Sequence, residues 1–170
     1  MCKKCNEPKP CHNPSKYAEA HADGLDGSCV VTVPDGAVVP FVGECNPHSS
    51  ISWTDSGAAR LDEKGTYLVE YSIHGASCQK CPVTVALYTS EFPTKCDGSC
   101  DYEAEPSDPE KVPCSEASSK SCRRTIKNNV IVKVPSNCTQ LELLNISGEC
   151  VKLDATPASL TITKLSSCVR

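Results

Sequence analysis

Short alternations of apolar and polar residues follow one another along most of this chain. The clearest is TYLVEYSIHG at 66–75, where the odd positions from Tyr67 to Ile73 are apolar and most of the even positions are polar. Further short segments of strand character lie at 29–33, 37–43, 50–55, 58–62, 82–90, 128–135, 139–146, 150–154 and 159–165. Because side chains alternate between the two faces of a strand, such segments are typical of strands with one buried face. The sequence therefore predicts about ten short strands and no convincing helix.

The spacing of these strands predicts the fold class and the limits of the folded domain. Many short strands separated by Gly, Pro, Asp and Asn indicate an all-β, two-sheet jelly-roll sandwich, which we place at residues 16–170. The first fifteen residues, MCKKCNEPKPCHNPS, contain too little apolar surface to build a core. We interpret them as a flexible N-terminal arm, which would span about 35–50 Å when fully extended.

Residues 91–122 interrupt the regular succession of strands. This segment is acidic, rich in Pro and Ser, and contains four cysteines. A loop of roughly 30 residues without secondary structure is uncommon inside a domain. We interpret it as a surface insertion held by disulfides and call it the Cys-rich acidic loop. It is either a contact loop or a tolerated insertion, and the sequence does not choose between them.

Charge and hydropathy exclude two classes of partner. The 170 residues carry a net charge of −4 and no dense cluster of Lys and Arg, so we expect neither nucleic acid nor an anionic membrane as a partner. No apolar run approaches the ~20 residues of a membrane span. The opening residues also lack the apolar segment of a signal peptide. Either a signal has been removed from this sequence, or the protein reaches an oxidising environment without the secretion route, and we expect the second.

Fourteen cysteines are the most informative feature of the composition. They indicate either a disulfide network or metal sites. Our candidates for intradomain disulfides are Cys78, Cys81, Cys96, Cys100, Cys114 and Cys122. The first pair forms a C-x2-C motif that ends one predicted strand and opens another, which favours a structural disulfide over a redox pair. Because Cys78, Cys81, Cys96 and Cys100 also have a spacing close to that of a zinc ribbon, zinc binding stays open.

The arm cysteines have a separate implication. Cys2, Cys5 and Cys11 are three, and the remaining eleven cysteines lie in the domain, so both counts are odd. If every cysteine is oxidised to a disulfide, at least one arm cysteine must bond outside the arm. Its partner lies either in the same domain or in another subunit, and an arm with this reach favours the second. The neighbouring Lys3 and Lys4 would favour the reactive thiolate.

Catalysis is not indicated by any constellation of residues. A nucleophilic thiol needs a base held beside it by a third group. His12 follows Cys11 in the flexible arm, and His74 lies near Cys78 across a turn, so neither pair has a predicted rigid setting. We therefore expect a protein that is not an enzyme and that uses no cofactor.

The order of the strands resembles a known family. The segment SISWTDSGAARLDEK followed by GTYLVEYSIHG, then VIVKVPSNCTQLELLNISG and a final ASLTITKL, is similar to the tumour-necrosis-factor-like (TNF-like), complement-type globular head. Bacterial spore-surface versions of this head, found on collagen-like exosporium proteins, have the most similar pattern. The resemblance covers about residues 17–166. The arm resembles the cysteine-bearing connector of endospore appendage fibre subunits, although the chain has no collagen-like Gly-X-Y repeat.

The resemblance implies a jelly roll that is commonly trimeric and that packs against copies of itself or against other spore-coat or exosporium proteins. It also implies exposure at a spore or cell surface after lysis of the producing cell. The leading hypothesis is therefore a structural, self-assembling subunit of an extracellular fibre or coat, cross-linked by Cys2, Cys5 or Cys11. The alternative is a trimeric binding head that recognises a receptor, a glycan or a coat partner.

Overall fold

The computed structural model describes residues 19–44, 49–77, 82–119 and 123–166, and these residues form an all-β domain. The strands are β1 (Glu19–Leu25), β2 (Val30–Val33), β3 (Phe41–Gly43), β4 (Ile51–Trp53), β5 (Ala59–Leu61), β6 (Gly65–Ser77), β7 (Thr84–Glu91), β8 (Glu110–Lys111), β9 (Ala117–Ser118), β10 (Arg123–Val134), β11 (Thr139–Asn145), β12 (Val151–Asp154) and β13 (Ser159–Ser166). Within these ranges no helix is long and apolar enough to cross a membrane. The predicted fold class, an all-β two-sheet sandwich, is confirmed.

The strands are divided between two antiparallel sheets. The first sheet is centred on β6, which pairs with β10 along one side and with β12 and β13 end to end along the other. β2 then pairs with β12, and β1 and β3 continue the sheet beyond β13. The second sheet has the order β4–β5–β11–β7, with β8 and β9 both pairing with the outer side of β7.

The core lies between the two sheets and comes from the alternation seen in the sequence. Tyr67, Val69, Tyr71 and Ile73 of β6 are at most 2% exposed. The alternating apolar residues of β7, β10 and β11 are buried with them in one hydrophobic cluster, which includes Val85, Leu87, Val130, Val132, Leu141 and Leu143. Burial of these side chains supplies the main favourable term in folding.

One predicted strand, residues 37–43, is split between the two sheets. Val38 forms an isolated bridge with Leu144 of the second sheet, whereas Phe41 pairs with Leu25 of the first. Pro40 lies between them and has no amide hydrogen to donate to a ladder. The chain therefore crosses from one sheet to the other at this proline, and only 41–43 form a strand.

The turn between β4 and β5 depends on a glycine. Gly57 has a φ of +87°, and a Cβ atom at this position would lie 2.3 Å from the backbone nitrogen of Phe41. Its amide donates to the carbonyl of Thr54 at 3.0 Å. A left-handed conformation and a close backbone approach are both available to glycine alone.

Tyr71 connects the core to the loop after β8. Its ring is 2% exposed and its hydroxyl donates to the carbonyl oxygen of Ser115 at 2.8 Å. Burial, with a smaller contribution from the Glu116 carboxylate, raises the pKa of Tyr71 to about 12. The folded state therefore holds this phenol protonated in a range where an unfolded tyrosine, with a pKa near ~10, ionises.

We predict a specific alkaline loss of stability from Tyr71. Between about pH 10 and about pH 12 the unfolded chain binds fewer protons at this position than the folded chain, so the free energy of unfolding falls as pH rises. Tyr71→Phe should lower stability at neutral pH by about 1 kcal/mol through the lost hydrogen bond, and should make the alkaline decline shallower. Urea unfolding at several pH values, with free thiols alkylated, measures both effects. Parallel declines in the two proteins would contradict the prediction.

Candidate interaction surfaces

The exposed apolar side chains are concentrated on the first sheet. In the part of the chain that the structure describes, the exposed large hydrophobic residues are Val30 (53%), Val42 (50%), Ile131 (50%) and Leu165 (38%). All four belong to strands of the first sheet. Since the inner side of this sheet is packed core, their side chains lie on its outer face. Isolated exposed hydrophobic residues are ordinary, but their restriction to one face is informative.

Part of this apolar surface is a cluster at one end of β6. Leu68 has Ile131 of β10 as its partner on one side and Thr163 of β13 on the other. Leu165 lies two residues beyond Thr163, at a bulge in β13, and its 38% exposure places it on the outer side, since the neighbouring Lys164 is buried. Directly opposed residues on one face of a sheet have Cβ atoms about 4.5–5.5 Å apart, so Leu68 and Ile131 form a contiguous apolar patch.

The centre of the same outer face is polar. Beyond the Leu68 row, the next row across the sheet contains Asn129, Glu70, Thr161 and His21, and the row after it contains Lys127, Ser72, Ser159 and Asp23. A cavity of about 520 Å³ lies between β10, β6 and β13 among these side chains. His21 is the register partner of Thr161; its Nδ1 lies 2.7 Å from the Thr161 hydroxyl and its Nε2 lies 2.7 Å from Asp23 Oδ1.

His74 also lies on this face, where its ring contacts a hydroxyl group and a carboxylate. Its Nδ1 is 3.0 Å from the hydroxyl of Thr125, and its Nε2 is 3.6 Å from Asp154 Oδ2. Cys78, the thiol considered beside it, lies outside the described residues, as do Cys11 and His12. The described contacts of His74 join three strands of the sheet, β6, β10 and β12.

The Cys-rich acidic loop is fixed to the second sheet by an aromatic cluster. The Arg60 guanidinium lies 4.1 Å from the centre of the Tyr102 ring, and Phe92 meets the same ring edge-on at 5.0 Å. The Tyr102 hydroxyl donates to the carboxylate of Asp62. Burial, together with this hydrogen bond, raises the pKa of Tyr102, so the phenol remains a donor over the physiological range. Cation–π and aromatic contacts of this kind stabilise by about 0.5–2 kcal/mol each.

A disulfide is the second attachment of this loop. Cys100 is bonded to Cys138, which is fully buried in the turn between β10 and β11, with a Cα–Cα distance of 5.3 Å. Preceding Cys100, residues 95–99 form a tight turn in which Asp97 accepts hydrogen bonds from the amide and hydroxyl of Ser99. The loop is therefore an ordered excursion, and β8 and β9 inside it pair with β7.

The other predicted site cysteines differ in their state. Cys96 and Cys114 are exposed free thiols, as is Cys29. Cys150 is disulfide-bonded. Cys2, Cys5, Cys11, Cys78, Cys81 and Cys122 lie outside the described residues. Cys96 and Cys114 therefore form no intradomain bridge in this structure. Intradomain bridges through Cys78, Cys81 and Cys122, and intersubunit bridges through the arm, stay predictions.

One of the four cysteines considered as zinc ligands is not available. A disulfide-bonded sulfur is not available as a thiolate, so Cys100 cannot coordinate zinc while it is paired with Cys138. Cys78 and Cys81 lie outside the described residues. In the described ranges no group of three or more His, Cys, Asp and Glu side chains could hold a metal ion.

Comparison with known proteins identifies the fold. No protein-family model matches the sequence, and no curated protein matches it either. Solved structures do match. Eiger TNF from S. frugiperda superposes with a TM-score of 0.68 at 15% identity, covering 91% of this chain and 96% of that chain. Murine APRIL superposes with a TM-score of 0.56 at 13% identity, covering 88% of this chain and all of that one. The fold is a TNF-like jelly roll.

Two features of this structure were not predicted from the sequence. β1 (EAHADGL) has few residues that favour strands, yet Ala20 and Ala22 alternate as its buried positions. The only sequence signal is this alternation of small and polar residues. The anchoring cluster of Arg60, Asp62 and Tyr102 was missed because about 40 residues separate its two parts along the chain.

We predict that the Cys100–Cys138 disulfide holds the Cys-rich acidic loop in place. Cys100→Ser should lower the free energy of unfolding by about 2–4 kcal/mol and speed amide exchange in residues 92–109. The matched control is Cys96→Ser, which removes an exposed free thiol four residues away and should change neither quantity. Unfolding curves and hydrogen exchange give the answer, and equal effects of the two substitutions would contradict a structural role for the bridge.

Proposed function

We propose that this protein is a structural, self-assembling subunit of an extracellular fibre or spore-surface coat. The observation that carries the proposal is the restriction of Val30, Val42, Ile131 and Leu165 to one outer face. Burying a large apolar side chain contributes about 1.5–3 kcal/mol. A second copy that covers this face would therefore gain more free energy of association than one that covers a polar face. No catalytic role is proposed.

The form of the assembly depends on whether two copies meet through the same patch or through different patches. A contact that uses the same patch on both copies closes as a dimer, whereas a contact between two different patches gives rings or open filaments. The outer face of the first sheet is apolar around Leu68 and Ile131, and the Cys-rich acidic loop projects from the second sheet. Two unlike surfaces on one subunit are consistent with a heterologous contact, which a fibre requires.

The arm is proposed as the covalent connector. It precedes β1 in the sequence, and β1 pairs with β13 inside the first sheet. Cys29, Cys96 and Cys114 are exposed free thiols that an arm cysteine of a neighbour could reach. Each bridge would form by oxidation of two thiols, with dioxygen or another extracellular oxidant taking the two electrons and two protons. Alternatively, an arm thiolate would exchange with an existing disulfide.

A binding head is the second candidate function. The observation that favours it is the anchoring of the Cys-rich acidic loop by the Tyr102 cluster and the disulfide. An ordered loop binds a partner without a large loss of conformational entropy. A head of this kind would stop at a closed oligomer and use the loop, or the polar centre of the first sheet, to contact a receptor, a glycan or a coat partner.

We predict that Ile131→Asp dissociates the non-covalent assembly. A carboxylate in the apolar cluster would have to be desolvated when a second copy covers it, so association should weaken by about 10–100-fold. The matched control is Ser118→Asp, which adds the same charge on an exposed position of the second sheet. Light scattering of reduced protein over about a hundredfold concentration range measures the mass. Unchanged association in Ile131→Asp would remove the outer face as the contact.

We predict that the arm makes the assembly covalent. On a non-reducing gel the wild-type chain should form a ladder, and the triple substitution of Cys2, Cys5 and Cys11 to Ser should leave monomers. Reduction of the wild type should have the same effect as the triple substitution. Mass spectrometry of protein alkylated without reduction then identifies the cysteine that pairs with the arm. Arm cysteines bonded only within one chain would contradict the fibre and favour the binding head.

A further inference from the structure

The cavity on the outer face of the first sheet is formed by a change in side-chain length. Ser72 and Ser159 are register partners on β6 and β13, and their short side chains lie between longer neighbours. Glu70 and Lys127 are exposed beside them, on β6 and β10. The resulting cavity of about 520 Å³ falls within the range of about 300–1,000 Å³ that ligand sites occupy.

The polar groups around this cavity are largely unpaired. Within the described ranges, the side chains of Glu70, Ser72, Lys127, Asn129 and Ser159 have no hydrogen-bond or ion-pair partner in the protein. Thr161 and Asn128 are exceptions: the Thr161 hydroxyl is hydrogen-bonded to His21, and the Asn128 amide donates to the carbonyl oxygen of Cys114. A carboxylate, an ammonium group, an amide and two hydroxyls are therefore available around one cavity.

The mixture of charges selects the class of ligand. An inorganic anion would pair with Lys127 but would lie beside the Glu70 carboxylate, and a metal cation would have the reverse problem. A hydroxyl group both donates and accepts, so adjacent hydroxyls of one molecule can donate to Glu70 and accept from Lys127 at the same time. Serine hydroxyls and an amide complete a set suited to a neutral polyol.

The cavity offers little to an apolar ligand. Tyr71 is its aromatic neighbour, but that ring is 2% exposed and its hydroxyl is already bonded to Ser115. The other side chains around it are polar. Binding would therefore rest on hydrogen bonds in competition with water, which makes a single site weak. Several copies in one assembly would compensate by multivalency.

We propose that this cavity binds a saccharide unit of a glycan, with Glu70 accepting from sugar hydroxyls, Lys127 and Asn129 donating to them, and Ser72 and Ser159 contacting the ring between them. The inference rests on the second candidate function, the binding head, and gives it a ligand class. It does not require self-association, because the site lies within one chain.

The test is a titration of the ¹⁵N-labelled full chain with glucose, galactose, N-acetylglucosamine and rhamnose, followed by amide chemical shifts. At least one sugar should cause saturable shifts confined to residues 70–72, 127–129 and 159–161, with half-saturation at about 1–10 mM. Ser159→Tyr, which fills the cavity, should abolish them. Glu70→Gln, at an exposed position, should weaken binding by about tenfold.

Three controls keep the outcomes separate. Lys152→Gln changes a charge on the same sheet outside the cavity and should leave sugar binding unchanged. Inorganic phosphate and calcium chloride should not reproduce the shifts, and equal shifts with either salt would replace the saccharide by an ion. No saturable shift with any sugar up to about 100 mM overturns the proposal. If Ser159→Tyr does not fold, Glu70→Gln takes its place, and loss of sugar binding in that variant supports the proposal.

Light scattering of the same samples distinguishes this inference from the assembly proposal. Shifts at the cavity that follow protein concentration instead of sugar concentration would assign the face to contacts between copies and overturn the saccharide site. Absence of sugar binding with an unchanged oligomer mass would overturn the saccharide site and leave the self-association proposal intact.

Discussion

The structure depends on the pairing of β6 with three other strands. β10 runs along one side of it from Gly65 to Ala76, while β13 and β12 follow each other along the opposite side. Every second residue from Tyr67 to Ile73 is thereby held in the core, and the intervening residues are held in rows on the outer face. Because side chains alternate strictly along a strand, this one register determines the packing inside and the surface outside.

The second sheet has a different role, which is to carry the long excursion between β7 and β10. The Cys100–Cys138 disulfide attaches the excursion to the turn after β10, and the Tyr102 ring attaches it to β5 through Arg60. These contacts turn an acidic, Pro- and Ser-rich segment into an ordered surface. Its order comes from a covalent bond, one aromatic cluster and the pairing of β8 and β9 with β7, since the segment itself has little apolar surface to bury.

The outer face of the first sheet combines two surfaces that would serve different partners. Its apolar end, at Leu68 and Ile131, suits another protein surface, while its polar centre, at Glu70 and Lys127, suits a hydrated ligand. The two surfaces are separated by a single step of two residues along β6. A contact between copies and a ligand site are therefore neighbours on one sheet, and occupation of one bears directly on the accessibility of the other.

The sequence by itself determined the fold class, most of the strands and the buried face of each, because period-2 alternation is a local property. It did not reveal β1, whose Ala, Asp and Gly residues have low strand preference and which forms because β13 and β3 pair with it. It also could not reveal the split of 37–43 between the sheets, the bridge from Cys100 to Cys138 or the grouping of Ser72 with Ser159 and Lys127. Those arrangements join residues far apart in the chain, and only the pairing of strands brings them together.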